Sequence, residues 1–134
     1  MKHKTKVMGF GTFDELHPGH VAFLRQLLAL GDELWVVVAR DQNVKKLKGH
    51  SPRQTETERQ AAVLKTGLTD HVILGDLHDV YQCLLDHQPD VIGLGYDQAA
   101  DPEEIQKRLP NARFVRLKSF KPEIYKSSLI KQTK

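Results

Sequence analysis

Lys6-Val7-Met8-Gly9-Phe10-Gly11-Thr12-Phe13-Asp14-Glu15-Leu16-His17-Pro18-Gly19-His20 is the stretch on which the reading of this chain turns. Its first half is apolar and runs into a glycine-containing turn, the pattern of a buried strand followed by a loop. Pro18 suits the first turn of a helix, where its missing N–H leaves no bond unmade. Val21, Phe23, Leu24, Leu27, Leu28 and Leu30 follow near helical spacing, and Gly31 marks a stop. The expected unit is strand, polar loop, helix over 18–30.

Outward from that unit the alternation repeats. The run 33–39 is continuously apolar and reads as a central parallel strand covered on both faces. A Lys-rich stretch with Gly49 and Pro52 follows, and a polar loop is expected over 40–54. Thr55 and Glu58 carry a capping-box signal for a helix that reaches about Thr66. Further strands are expected at 70–74, 89–94 and 113–117, with helices at 76–87, 102–109 and, in the tail, 122–133. This alternation of strands and helices with short connections predicts one domain over 1–134. Its class is α/β, a Rossmann-like three-layer α/β/α arrangement with a five-stranded parallel sheet. Ligands of such sheets bind beyond the carboxyl ends of the strands, where the winding reverses. The polar segments 11–19, 40–54, 95–102 and 118–128 then share one edge.

The bulk numbers agree with a single globular unit. The chain has 134 residues, 40% hydrophobic and 28% charged, with a formal net charge of +3. That charge is too small to argue for nucleic acid, and no apolar run approaches the length of a membrane span. The single cysteine, Cys83, has no internal partner and reads as a buried core thiol, which fits a reducing, cytoplasmic compartment. Charge is clustered: nine Lys or Arg against one acid lie from Ile105 onward, and Arg40, Lys45, Lys46, Lys48, Arg53 and Arg59 form a second group. Such clusters suit a polyanion such as a triphosphate, and equally a solvated basic surface.

Gly9-x-Gly11 after the first strand invites a dinucleotide reading, but position 14 is Asp where that fingerprint needs Gly. No Walker glycine loop is present either. His17 and His20 are the sharper feature. Residues three apart at a helix start face one side. Gly19 leaves space beside them, and the unpaired N–H groups of the first turn favour an anion. Two imidazoles at such a place suit the phosphates of a nucleoside triphosphate, whose transfer chemistry needs mostly positioning and charge stabilisation. A zinc pair and two surface histidines remain as alternatives at this point, though zinc needs three or four ligands.

The ten residues Gly11 to His20 resemble the signature of the cytidylyltransferase-like nucleotidyltransferases, and Lys126-Ser127-Ser128-Leu129 resembles that family's late Ser/Thr pair. Finer stretches resemble the archaeal-type FAD synthases within it: Val38 to Asp41, Val44 to Gly49 and Leu94 to Gln98. The chain departs from that group in lacking a cysteine-containing stretch before the Ser pair. It also lacks the Arg-Thr-Glu-Gly of the glycerol-3-phosphate enzymes, having Lys121-Pro122-Glu123-Ile124 nearby. These departures concern the acceptor.

The resemblance implies an enzyme that moves an NMP unit from an NTP to a phosphorylated acceptor with release of pyrophosphate. ATP and FMN are the first expectation; CTP with glycerol 3-phosphate or another polyol phosphate is the second, and a non-catalytic nucleotide-binding module the third. It implies that His17 and His20 hold the triphosphate, with Gly11, Thr12, Phe13 and Gly19 around them. It implies that Lys46 or Lys48 reaches over the phosphates, that Asp14 lies near the acceptor or orients the loop, and that Arg59 anchors acceptor or nucleotide, with Asp14, Lys48 and Arg59 assigned first to the acceptor. Gly95, Asp97 and Gln98 would line the base and ribose, and Ser127 and Ser128 the outer phosphates. Mg²⁺ would arrive with the nucleotide rather than sit in a protein cage of its own. No nucleic-acid or membrane partner is implied; a homodimer is.

Overall fold

The computed structural model describes residues 4–79, 81–94 and 102–117. Their order is β1 (Lys6–Gly11), α1 (Pro18–Leu28), β2 (Glu33–Val38), α2 (Asp41–Lys48), α3 (Glu56–Lys65), β3 (His71–Leu74), α4 (Gln82–His87), β4 (Val91–Leu94), α5 (Pro102–Arg108) and β5 (Arg113–Arg116). The strands form one five-stranded sheet in the order β3-β2-β1-β4-β5, with every pairing parallel. The expected Rossmann-like architecture is therefore the observed one.

Alternation along each strand builds the two outer layers, because successive side chains point to opposite faces. Val7, Val36, Val38 and Val91 pack with Leu24 and Leu27 of α1 and Val63 of α3. Met8, Val37, Ile92 and Leu94 pack with Cys83 and Leu84 of α4 and Ile105 of α5. Gly9 and Gly93 are register partners on β1 and β4, and a Cβ on either would collide with the Leu27 side chain. Leu27 is fully buried there, a burial that stabilises by roughly 1.5–3 kcal/mol. The paired glycines thus let α1 lie close to the centre of the sheet.

One device recurs at the amino-terminal edge. Asp32, Asp70 and Asp90 each precede a strand, and each carboxylate accepts an N–H from the neighbouring strand's start. The donors are Thr5 at 2.8 Å, Leu34 at 2.7 Å and Lys6 at 2.9 Å, respectively. In return, each Asp N–H donates to the carbonyl of Thr5, Leu34 and Lys6. These reciprocal pairs fix the register and close that edge, so the open loops lie at the other end.

Two expected elements differ. The segment 40–54 is not all loop, because it contains α2. Helix α2 buries Val44 and exposes Lys45, Lys46 and Lys48, so its apolar signal is too thin to show helical periodicity. It ends at Gly49, whose φ of 83° only glycine adopts freely, with the Gly49 N–H on the Lys45 carbonyl. Conversely, the helix expected over 76–87 is confined to α4. The Asp76 carboxylate accepts the N–H groups of His78 and Asp79, and Asp79 accepts that of Tyr81. Short acidic side chains there offer the backbone an alternative to helical bonds. The tail helix expected over 122–133 lies outside the described residues. Among those residues no helix is long and apolar enough to cross a membrane.

Candidate active site

The strand order reverses between β1 and β4, so the crevice lies beyond Gly11 and Leu94. The chain leaves β1 through the loop 12–16 and enters α1 at His17. Phe13 and Glu15 hold φ of 55° and 51°. That left-handed conformation costs a non-glycine residue about 1–2 kcal/mol, so other contacts must hold the loop. Phe13 supplies one of them. Its ring is buried, packs over Gly11 at a spot where a Cβ would come within 2.7 Å, and meets the His20 ring edge-on at 5.5 Å.

His17 is the N-cap of α1 and His20 sits at its third position, in a reciprocal capping arrangement. The Gly19 N–H donates to His17 Nδ1 at 3.0 Å, and the His17 N–H donates to His20 Nδ1 at 3.2 Å. The rings stack with centroids 3.9 Å apart. A neutral imidazole that accepts at Nδ1 carries its proton on Nε2. The cap therefore sets the tautomer: both rings present an Nε2–H donor at the positive end of a helix. The zinc alternative needs nitrogen lone pairs that this arrangement uses up. Among the described residues no group of three or more His, Cys, Asp or Glu gathers to hold a metal. Gly19 is required for the geometry, since a Cβ there would stand 2.8 Å from His17 Cε1.

Asp14 takes the second of the two roles implied for it, and Arg59 takes a place that the sequence did not foresee. The Asp14 carboxylate accepts the N–H groups of Arg53 at 2.8 Å and Gln54 at 3.0 Å. Burial pushes its pKa up, but those two N–H bonds and the nearby Arg59 and Arg53 cations outweigh it and hold the carboxyl below its ordinary value. Asp14 thus orients the loop. Arg59, expected to anchor the acceptor, is fully buried. Its guanidinium donates to the Gln54 carbonyl, the Thr12 carbonyl and the Asp41 carboxylate, so it supports the loop from behind and presents no face to a ligand. Around it, Asp41 and Glu56 exchange backbone N–H bonds through their carboxylates, and Glu56 also holds Arg40. The roles of Arg40, Asp41 and Glu56 come from pairings across 15 or more residues, and Gln54 meets Asp14 and Glu15 from 40 and 39 positions away.

Lys46 and Lys48 are exposed on α2, which follows β2 at the same sheet edge as the histidine loop. Gly95, Asp97, Gln98, Ser127 and Ser128 lie outside the described residues. Cys83 of α4 is buried in the core against the sheet, and burial raises its thiol pKa, as a core thiol's should be.

The cytidylyltransferase-like family model matches residues 8–133, nearly the whole chain. The chain belongs to the cytidylyltransferase-like family. Membership makes it an enzyme of the nucleotidyltransferase type. Among its relatives in that family, a protein of Aciduliprofundum boonei named FAD synthase is 47% identical over 119 residues, which are 86% of this chain and 79% of that one. A protein of Archaeoglobus profundus, also named FAD synthase, is 43% identical over 120 residues, 85% of this chain and 75% of that one. The crystal structure of a Thermoplasma volcanium protein described as a lipopolysaccharide core biosynthesis protein superposes with a TM-score of 0.81 at 36% identity. The match covers 88% of this chain and 99% of that one.

Proposed function

We propose that this cytidylyltransferase-like chain is an FMN adenylyltransferase, joining ATP and FMN to give FAD and pyrophosphate. The carrying observation is the capped histidine pair: two imidazoles that each accept a backbone N–H at Nδ1, stacked at a helix N-terminus on the sheet's switch point. In the reaction an FMN phosphate oxygen attacks the α-phosphorus of ATP. The bond from that phosphorus to the bridging oxygen breaks, and pyrophosphate leaves with the electron pair. Charge builds on the phosphoryl oxygens as this happens, and preorganised donors stabilise it most where water is excluded. His17 and His20 are those donors. The exposed lysines of α2 supply positive charge for the outer phosphates, Lys46 toward the nucleotide and Lys48 toward the acceptor. A divalent cation, Mg²⁺ in this reading, enters on the triphosphate as part of the substrate.

The relatives named FAD synthase support the choice of FMN and ATP. The test is pyrophosphate release by purified protein given each NTP with Mg²⁺ and either FMN or glycerol 3-phosphate, with the product identified by mass. Release with ATP and FMN alone, and a product of FAD mass, is the expected result. Release with CTP and a polyol phosphate moves the assignment to that acceptor, and nucleotide binding without release under any acceptor removes the catalytic reading. Pairing of two copies belongs to the same proposal, and sedimentation equilibrium tests it.

A further inference from the structure

Arg59 is the only polar or charged side chain buried among the described residues. A buried cation is costly unless every donor is matched. Here each of its three nitrogens has a partner, and the partners belong to three different segments: Thr12 in the histidine loop, Gln54 before α3, and Asp41 at the start of α2. The same stretch grips the loop twice more. Arg53 and Gln54 donate their N–H groups to Asp14, and the Gln54 side-chain carbonyl accepts the Glu15 N–H at 2.9 Å. Thr12, Asp14 and Glu15 are thus held from residues 39 to 47 positions away in sequence. Thr12 and Asp14 flank the left-handed Phe13, and Glu15 is itself left-handed. On the other side, Asp41 opens the helix that carries Lys45, Lys46 and Lys48.

From this geometry we propose that Arg59 is a positioning residue for nucleotidyl transfer. It locks the loop that carries His17 and His20 to the lysine helix α2, so that both sets of donors meet one triphosphate in a fixed relation. The proposal rests on the catalytic reading above. In-line transfer is sensitive to such a relation: a displacement of about 1 Å costs on the order of 100-fold in rate. Lysine cannot replace the residue, because its single ammonium lacks the planar fork that reaches three acceptors at once.

The test compares wild type with Arg59→Lys by amide hydrogen exchange of the free protein and by steady-state kinetics. Faster exchange is expected in 12–17 and 41–48, with β1, β2 and β4 unchanged. The expected kinetic change is a kcat lower by about 10- to 100-fold with KM for the nucleotide nearly constant. Lost kcat with wild-type exchange, a raised KM at constant kcat, or no change in either measurement overturns the proposal. Asp41→Asn is read alongside and decides the matter if Arg59→Lys does not fold. It leaves Arg59 its two carbonyl partners, so exchange should rise in 41–48 but not in 12–17, with a smaller loss of kcat. Wild-type exchange in 41–48 for that variant also overturns the proposal. The exchange measurement needs no substrate, so a wild-type protein that releases no pyrophosphate from ATP and FMN refutes the substrate reading separately.

Discussion

The rings of His17 and His20 stack 3.9 Å apart, and each gives its Nδ1 to a backbone N–H in the first turn of α1. One pair of side chains thus closes a helix end and aims two donors, and the two jobs can be separated. Replacing either histidine by Ala should lower kcat by about 100- to 1,000-fold, the scale for losing one preorganised donor. His17→Ala should also lose about 0.5–2 kcal/mol of stability with the cap. His17→Asn restores a good N-cap without the distant donor. It should recover the melting temperature and leave kcat low. Recovery of both in steady-state assays would show that His17 serves the helix alone.

Gly19 gives a prediction in which stability and activity move apart. Alanine is the better helix former by about 0.5–1 kcal/mol, which offsets the weakened His17 cap, so Gly19→Ala should change the melting temperature little. Its Cβ would nevertheless press on His17 Cε1 and turn that ring. A fall in kcat of roughly 10- to 100-fold is expected. Thermal unfolding and pyrophosphate release on the same preparation check both halves, and wild-type turnover would contradict the second.

At the centre of the sheet, Leu27 fills the space left by Gly9 and Gly93. Gly93→Ala should destabilise by about 1–3 kcal/mol through overpacking, and Leu27→Ala by about 2–5 kcal/mol through the cavity. Together they should cost less than their sum, because the added methyl enters the vacated volume. Denaturant titration of the two single variants and the double variant measures the coupling. Simple additivity would mean that the two residues do not share that space.

The Asp14 carboxylate gives a pH dependence. Its folded pKa lies below its ordinary value because the N–H groups of Arg53 and Gln54 and the nearby cations outweigh its burial. Such a group stabilises the folded state fully above its unfolded pKa of about 3.9. The contribution fades as pH falls from there through the lower folded pKa. Asp14→Asn should therefore melt below wild type at pH 6 to 7, and the gap should close as pH drops under about 4. A gap that stays constant down to pH 2 would rule out the ionised carboxylate as its source.

Much of the site was legible because its signals are local. The strand, turn and helix around Gly11 to His20 follow from apolar runs, Pro18 and Gly31, and the i, i+3 spacing put both imidazoles on one side. The capping box at Thr55 and Glu58 forms as read, with the Glu58 N–H on Thr55 Oγ1 and the Thr55 N–H on the Glu58 carboxylate. Errors fell where local pattern is silent. Helix α2 hid behind its lysines, and the turns at Asp76 and Asp79 broke a helix whose apolar spacing looked continuous. The role of Arg59 was misread because a motif-like position says nothing about which way a long side chain turns.

Residue order alone determined the parallel α/β class, the place of the histidine pair on a helix start and the apolar faces of the strands. These rest on periodicity and capping, which act over a few residues. Folding in three dimensions decided that Leu27 meets two glycines from different strands, and that a buried guanidinium ties loop to helix. Those outcomes depend on groups tens of residues apart arriving at hydrogen-bond or van der Waals distance. Nearest-neighbour pattern carries no record of such meetings.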